Sequence, residues 1–241
     1  MKSVIFFLLV FMFSCSTQQV GQVANILLNQ ATGSKPSEAE VASGLKDTLK
    51  VGFVQAVSTL SKKDGFYKNA AMKIPLPNEI QRVTNTLNKI GLSSVTVEAE
   101  KLFNRAAEKA SGEAKDVFVA AVSQMTIKDA FNILLGSGNQ ATEYLKKTTT
   151  HTLMSKFQPI IGTSMNKVGA LDAYNKIVSK YNAIPLLDDI NVDVTSFVAN
   201  RAIAGIFKNV AKEETAIRQN PVKRTTAIIK RIFGYADTQK K

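Results

Sequence analysis

The stretch SEAEVASGLKDTLKVGFVQAVSTL (37–60) decides the fold. Its apolar residues Val41, Leu45, Leu49, Phe53, Ala56 and Leu60 recur mostly four apart. That spacing gathers side chains on one face of an α-helix and does not fit the alternation of a strand. At its start, Ser37-Glu-Ala-Glu40 has the form of a capping box. The Ser hydroxyl accepts from an orphaned first-turn N–H while the Glu side chain reaches back to the Ser N–H. Asp64-Gly65 closes the segment.

The same period continues outward. Asn78 to Ile90 reads as a helix through Ile80, Val83, Leu87 and Ile90, with Gly91 as its C-terminal cap. Val95 to Ala110 is alanine-rich and helical, and Glu113 to Met125 buries Phe118, Val122 and Met125. Thr126-Ile-Lys-Asp129 restarts a short helix that ends at Gly136-Ser-Gly138. A helix is predicted from Asn139 to Lys156, and a second from Pro159 to Tyr181 with a weak point at Gly169. An Asp-rich loop spans Pro185 to Val192, and a long helix spans Val194 to Gln219. Asn220-Pro221 suits the start of a last helix, because proline lacks an N–H that would be orphaned there, and Gly234 is expected to end it.

The best extended signal is Met72-Lys-Ile-Pro-Leu-Pro77, whose prolines prevent a regular ladder. It reads as a polyproline-like linker that packs Ile74 and Leu76 on helices. No Gly/Ser linker divides the chain, and no repeat recurs at solenoid periods. The predicted fold is all-α: a single irregular multi-helix domain over 36–234, after an N-terminal signal segment and before a frayed basic tail at 235–241.

The N-terminal residues supply an address. Lys2 precedes ten apolar residues, Val4 to Phe13. That run is too short for a membrane-spanning helix, which needs about 20 residues, but it has the layout of a bacterial secretory signal. Met12-Phe13-Ser14-Cys15 resembles a lipobox, at which Cys15 would be diacylated and become the new N-terminus. Phe13 is bulkier than usual there. The competing reading is ordinary cleavage after Ser16, with Ser14 and Ser16 as the small pair. Cys15 is the only cysteine, so no disulfide can form within one molecule. The expected organisation is a lipoprotein-type signal peptide over 1–14, then a tether with a first short helix over 15–35. Ser16 after the cysteine resembles lipoproteins sorted to an outer membrane. The expected location is therefore the periplasmic face of an outer membrane, or the soluble periplasm under the second cleavage.

The chain carries a net charge of +12, and 45% of its residues are hydrophobic, enough for a substantial core. In an exported protein a basic balance points away from nucleic acid and toward anionic lipid, cell-wall polymer or an acidic envelope protein, unless it serves only solubility. The charge is uneven. Residues 201–241 hold ten Lys/Arg against three Asp/Glu. On the last predicted helix Val222, Thr226, Ile229 and Phe233 share a face, with Ile232 beside it. Lys223, Arg224, Lys230 and Arg231 occupy the rest. Lys223, Lys230 and Arg231 are thus candidate contacts to an anionic surface; the alternative is a docked terminal helix with solvated charges.

DGFYKNAAMKIPLP (64–77), NRAAEKA (104–110), MTIKDAFNILLG (125–136), ATEYLKKTT (141–149) and EETAIRQNPVKRTTAIIKRIFG (213–234) stand in this order along the chain. On these motifs, spread over about 36 to 234, the chain resembles the bacterial domain of unknown function 4197 family. The resemblance implies an exported helical protein and carries no known activity, substrate or catalytic residue.

The residues themselves offer few sites. His151 is the only histidine and sits in a polar helical stretch without a second N or S ligand, so it reads as an ordinary helical residue. Asp188, Asp189 and Asp193 lack the glycine and terminal glutamate of a calcium loop. Gly136-Ser-Gly-Asn139 has glycines before a helix but no phosphate-loop lysine, and reads as a turn. The candidate polar cluster is Asn104, Arg105, Glu108, Glu213, Glu214, Arg218 and Arg224. Glu214 and Arg218 form an i,i+4 pair in the favourable orientation, leaving Glu213 free to reach Arg224 or another cation across the Asn220-Pro221 corner. The cluster is either a ligand-positioning cleft or a salt-bridge network fixing that corner. No catalytic residue, metal or cofactor is assigned.

The leading expectation is a non-enzymatic, lipid-anchored envelope module that binds through a helical surface. The alternatives are a helical carrier of a lipid-like ligand and, third, an enzyme using Glu213, Glu214, Arg105 or Tyr144.

Overall fold

A computed structural model describes residues 36–239 except 137 and 225. Cys15, the signal segment and the tether lie outside the described residues. Those described contain α-helices and no strand. The helices belong to one unit spanning Ser37–Lys241. In chain order they are α1 (Glu38–Leu60), α2 (Asn78–Arg82), α3 (Thr84–Lys89), α4 (Ser93–Ser111), α5 (Ala114–Gln124) and α6 (Ile127–Leu135). There follow α7 (Gln140–Lys167), α8 (Ala170–Asn182), α9 (Val194–Gln219), a 3₁₀ turn (Pro221–Lys223) and α10 (Ala227–Thr238).

α9 lies at the centre, packed chiefly on α7 and α1. α4 packs across α7 and α8, while α5, α6 and α10 line α1. Phe53 of α1, Phe118 of α5 and Phe207 of α9 form a chain of rings, each neighbouring pair 5.9 Å apart between centroids. Phe66, Phe103, Phe118 and Phe157 are among the fully buried side chains, each stabilising by roughly 1.5–3 kcal/mol relative to exposure.

Several helix ends follow from local chemistry. Both arms of the capping box form at Ser37/Glu40 and again at Thr126/Asp129. Gly91 adopts a left-handed φ of 78°. Its N–H donates to the Asn88 carbonyl and that of Leu92 to the Leu87 carbonyl, the two bonds of a Schellman ending. Residues 73–77 are extended and bury Ile74 and Leu76.

Other ends differ from the sequence reading. Pro159 lies inside α7, which runs unbroken to Lys167. The carbonyl that proline deprives of a donor belongs to Ser155; both residues are exposed, so water can satisfy it. The break comes instead at Gly169, whose φ of 73° is left-handed. Asn78 to Ile90 is two short helices interrupted at Val83. Asn220-Pro221 starts only the 3₁₀ turn, and the last helix begins at Ala227 under a Thr226 cap. Gly234 does not stop it. The helix continues to Thr238 and buries Ala236, so the start of the expected frayed tail is ordered. Val222 does not join the apolar face and is 85% exposed.

Candidate functional site

The polar cluster expected from sequence is two separate clusters, each clamping irregular chain to helix. The first stands on α4. Asn104, fully buried, has its side-chain oxygen accepting from the Ile74 N–H at 2.8 Å. Its amide nitrogen donates to the carbonyls of Ile74 and Glu100, each at 2.8 Å. One turn later Glu108 Oε1 accepts from the N–H groups of Phe66 and Tyr67, both at 3.1 Å. Its Oε2 accepts from Arg105 Nη1 at 2.7 Å, and Arg105 Nη2 donates to Asp64 Oδ1 at 2.5 Å. Asp64 is in the left-handed region, φ 71°, as short polar residues tolerate. The Arg105 hydrogen bond, followed by Lys68, holds the Asp64 carboxyl below its ordinary range. Glu108 and Asp64 hold the Arg105 guanidinium firmly protonated.

This clamp is necessary because residues 61–77 lack regular secondary structure. Their inward N–H and C=O groups need partners from elsewhere, and α4 supplies them. The loop's apolar anchor, Phe66, rests on Gly205 of α9. A Cβ there would stand 2.7 Å from the ring.

The second cluster stands on the C-terminal half of α9. Glu214 Oε1 accepts from the Ala141 N–H at 2.9 Å and from Arg218 Nε and Nη2 at 2.9 and 2.8 Å. Oε2 accepts from the Thr142 N–H and hydroxyl at 2.8 and 2.7 Å. The start of α7 after Gly136-Ser-Gly-Asn139 thus meets an anion, and that anion is the chain's own Glu214. Arg218 donates further to the carbonyls of Ile133, Leu134 and Gly136 at 2.6, 3.3 and 3.2 Å. It caps the C-terminal end of α6. One helix therefore satisfies the facing ends of two others.

Arg224 extends this scheme. It donates to the carbonyls of Ile217 and Arg218, at 3.2 and 2.9 Å, and to Asp237 Oδ2 at 2.7 Å. Arg218 and Arg224 both lie over the Phe233 ring, 5.9 and 5.3 Å from its centroid. The expected reach of Glu213 to Arg224 does not occur. Glu213 is half-buried and forms no ion pair among the described residues, and Asp237 takes the arginine. Asp64, Thr142 and Asp237 were not recognised from sequence; each is a common residue at long separation from its partner, and no local pattern marks it.

The remaining candidates are dispersed. Lys223 and Lys230 are exposed, whereas Arg231 donates to Glu40 of α1 at 2.7 Å. His151 is exposed on α7. Asp188 and Asp189 are exposed, and Asp193 caps α9 through Ser196, which lowers its carboxyl pKa. No group of carboxylate, imidazole or thiolate side chains suited to a metal exists among the described residues. Tyr144 is half-buried, and burial pushes its phenol above the ordinary range.

Chemically, both oxygens of Glu108 and of Glu214 are engaged by main-chain donors and guanidinium groups. They are held acceptors that organise backbone. The architecture defined is an all-helical domain with internal carboxylate–arginine clamps. The chain belongs to the family described as protein of unknown function (DUF4197), whose model matches residues 35–234. No curated protein and no solved structure matches it.

Proposed function

We propose that this protein is a lipid-anchored envelope protein, tethered through Cys15 to the periplasmic face of an outer membrane, that acts as a non-enzymatic binding module. The observation that carries the tether is the lone cysteine placed directly after an apolar run and a small residue, Ser14. The acyl chains of a diacylglyceryl group thioether-linked to Cys15 contribute about 0.8 kcal/mol per buried methylene. The binding role is supported by how the interior is used. Large aromatic side chains fill the core, and the buried carboxylates of both clusters are occupied by internal donors. Recognition then falls to the outer surface, where exposed cations such as Lys223 and Lys230 stand without a carboxylate partner among the described residues. Membrane lipid, cell-wall polymer or an acidic envelope protein are the partners of matching charge.

The test is the intact mass and N-terminus of the protein made with its own leader in a Gram-negative host. A diacylated or triacylated Cys15, lost with membrane association in Cys15→Ser, is the expected result. A mature chain starting unmodified at Thr17 would overturn the tether.

A further inference from the structure

A groove of about 170 Å³ runs between residues 71–75 and one stripe of α9. The stripe is Arg201, Ala204, Gly205 and Lys208, spaced i, i+3, i+4, i+7 and so aligned on one helix face. From the opposite wall Lys73 projects, with Met72, Ile74 and Pro75 supplying apolar surface. Every charged side chain lining the groove is basic. Lys73 is neutralised by an ion pair with Glu100. Arg201 and Lys208 have no carboxylate partner among the described residues. The Lys208 ammonium donates to the Ala71 carbonyl at 2.9 Å, and the Arg201 guanidinium lies 5.4 Å from the centre of the Phe197 ring.

We propose that this groove is a binding site for a phosphate group carried on a small polar or glycerol-type body. Arg201 and Lys208 are two turns apart, roughly 10 Å along the axis, with the small side chain of Ala204 between them. An anion seated over Ala204 is within reach of a cation from each side. A phosphate has oxygens to offer both, and a guanidinium fork matches them in pairs. The apolar wall suits the carbon skeleton that follows the phosphate. The groove is also preformed: the clamp of Asn104 on both the N–H and the C=O of Ile74 fixes the segment opposite α9. The inference deepens the envelope-binding reading by naming the site and the ligand chemistry, and its source is either a lipid headgroup or a free phosphate ester.

Titration calorimetry of the full-length protein in neutral detergent with sn-glycerol 3-phosphate, and co-sedimentation with phosphatidylglycerol against phosphatidylcholine vesicles, separate the two sources. Arg201→Gln with Lys208→Gln should raise Kd at least tenfold for the probe that binds. Lys223→Gln with Lys230→Gln, an equal loss of charge elsewhere, should change it less than twofold. Ala204→Glu places a negative charge in the groove without removing a cation, and should also abolish binding. It decides the matter if the double variant does not fold. Glycerol phosphate binding assigns a free ester; vesicle binding alone that responds to the same variants assigns a headgroup. Equal weakening by both double variants would overturn the site in favour of diffuse charge attraction, and so would the absence of binding to either probe. An unacylated Cys15 alongside groove-dependent binding of glycerol phosphate would refute the tether and leave the site standing.

Discussion

Replacing Glu214 by glutamine tests whether the second clamp holds the fold. Glu214 accepts five hydrogen bonds, and the Arg218 side chain beside it is only 7% exposed. Removing one partner of a buried ion pair typically costs about 3–5 kcal/mol. Arg218 keeps the carbonyls of Ile133, Leu134 and Gly136, which offsets part of the loss. The glutamine oxygen can serve only one side, however, and its amide would turn a donor toward a donor. A cost of about 3 kcal/mol is the reasonable magnitude. For a domain of this size each kcal/mol moves Tm by roughly 2–4 °C, so a fall of roughly 6–12 °C is expected. Thermal unfolding followed by circular dichroism at 222 nm would read it. Glu213→Gln removes the same charge one residue away, from a side chain without an ion-pair partner among the described residues, and should stay within about 0.5 kcal/mol of the parent. Equal Tm values for Glu214→Gln and the parent would refute the clamp, whatever happened to function.

Three further outcomes follow from the same packing. Gly205→Ala should destabilise by about 1–3 kcal/mol, because its Cβ would lie 2.7 Å from the fully buried Phe66 ring; an unchanged chemical denaturation midpoint would contradict that contact. Deleting residues 221–241 removes the buried Ile229, Ile232 and Phe233, together worth roughly 4.5–9 kcal/mol, comparable with a whole domain's stability; a cooperatively folding truncated chain with parental Tm would show that α10 is dispensable. The carboxyls of Glu40, Asp64, Asp129 and Asp193 are all held below their ordinary range, chiefly by Ser37, Arg105, Thr126 and Ser196 respectively. The unfolded chain therefore takes up protons first as pH falls, so their contribution is complete above the ordinary values of 3.8 and 4.5 and is lost below them; Tm should hold from neutral to about pH 5 and decline on further acidification, and a rise would contradict these pairings.

Local chemistry was legible in the sequence where it is self-contained. The capping box at Ser37, the helix start at Thr126 and the turn at Gly91 are each settled within four or five residues, and the long α9 follows from its own helical period. Pro159 and Gly234 were misread because their effect depends on surroundings. A proline on an exposed face leaves a carbonyl to water, and a glycine within a docked helix is carried by its neighbours' burial. The site was partly legible. Asn104, Arg105, Glu108, Glu214, Arg218 and Arg224 are all structural anchors. Their partners lie far off in sequence, 42 residues for Glu108 to Phe66 and 73 for Glu214 to Ala141, where no periodicity connects them. That separation also hid the division into two clusters.

The capping of α6 and α7 by side chains of α9 orders events in time. A polypeptide emerges from its amino end, and a chain grown only through Lys167 has the opening N–H groups of α7 and the closing carbonyls of α6 with no acceptor or donor in place. Those groups find their partners only after Glu214 and Arg218 have appeared, some fifty residues later. The first two thirds of the molecule therefore cannot finish folding ahead of the last third. The nascent segment gains the caps on these two helix ends only when its C-terminal helices arrive.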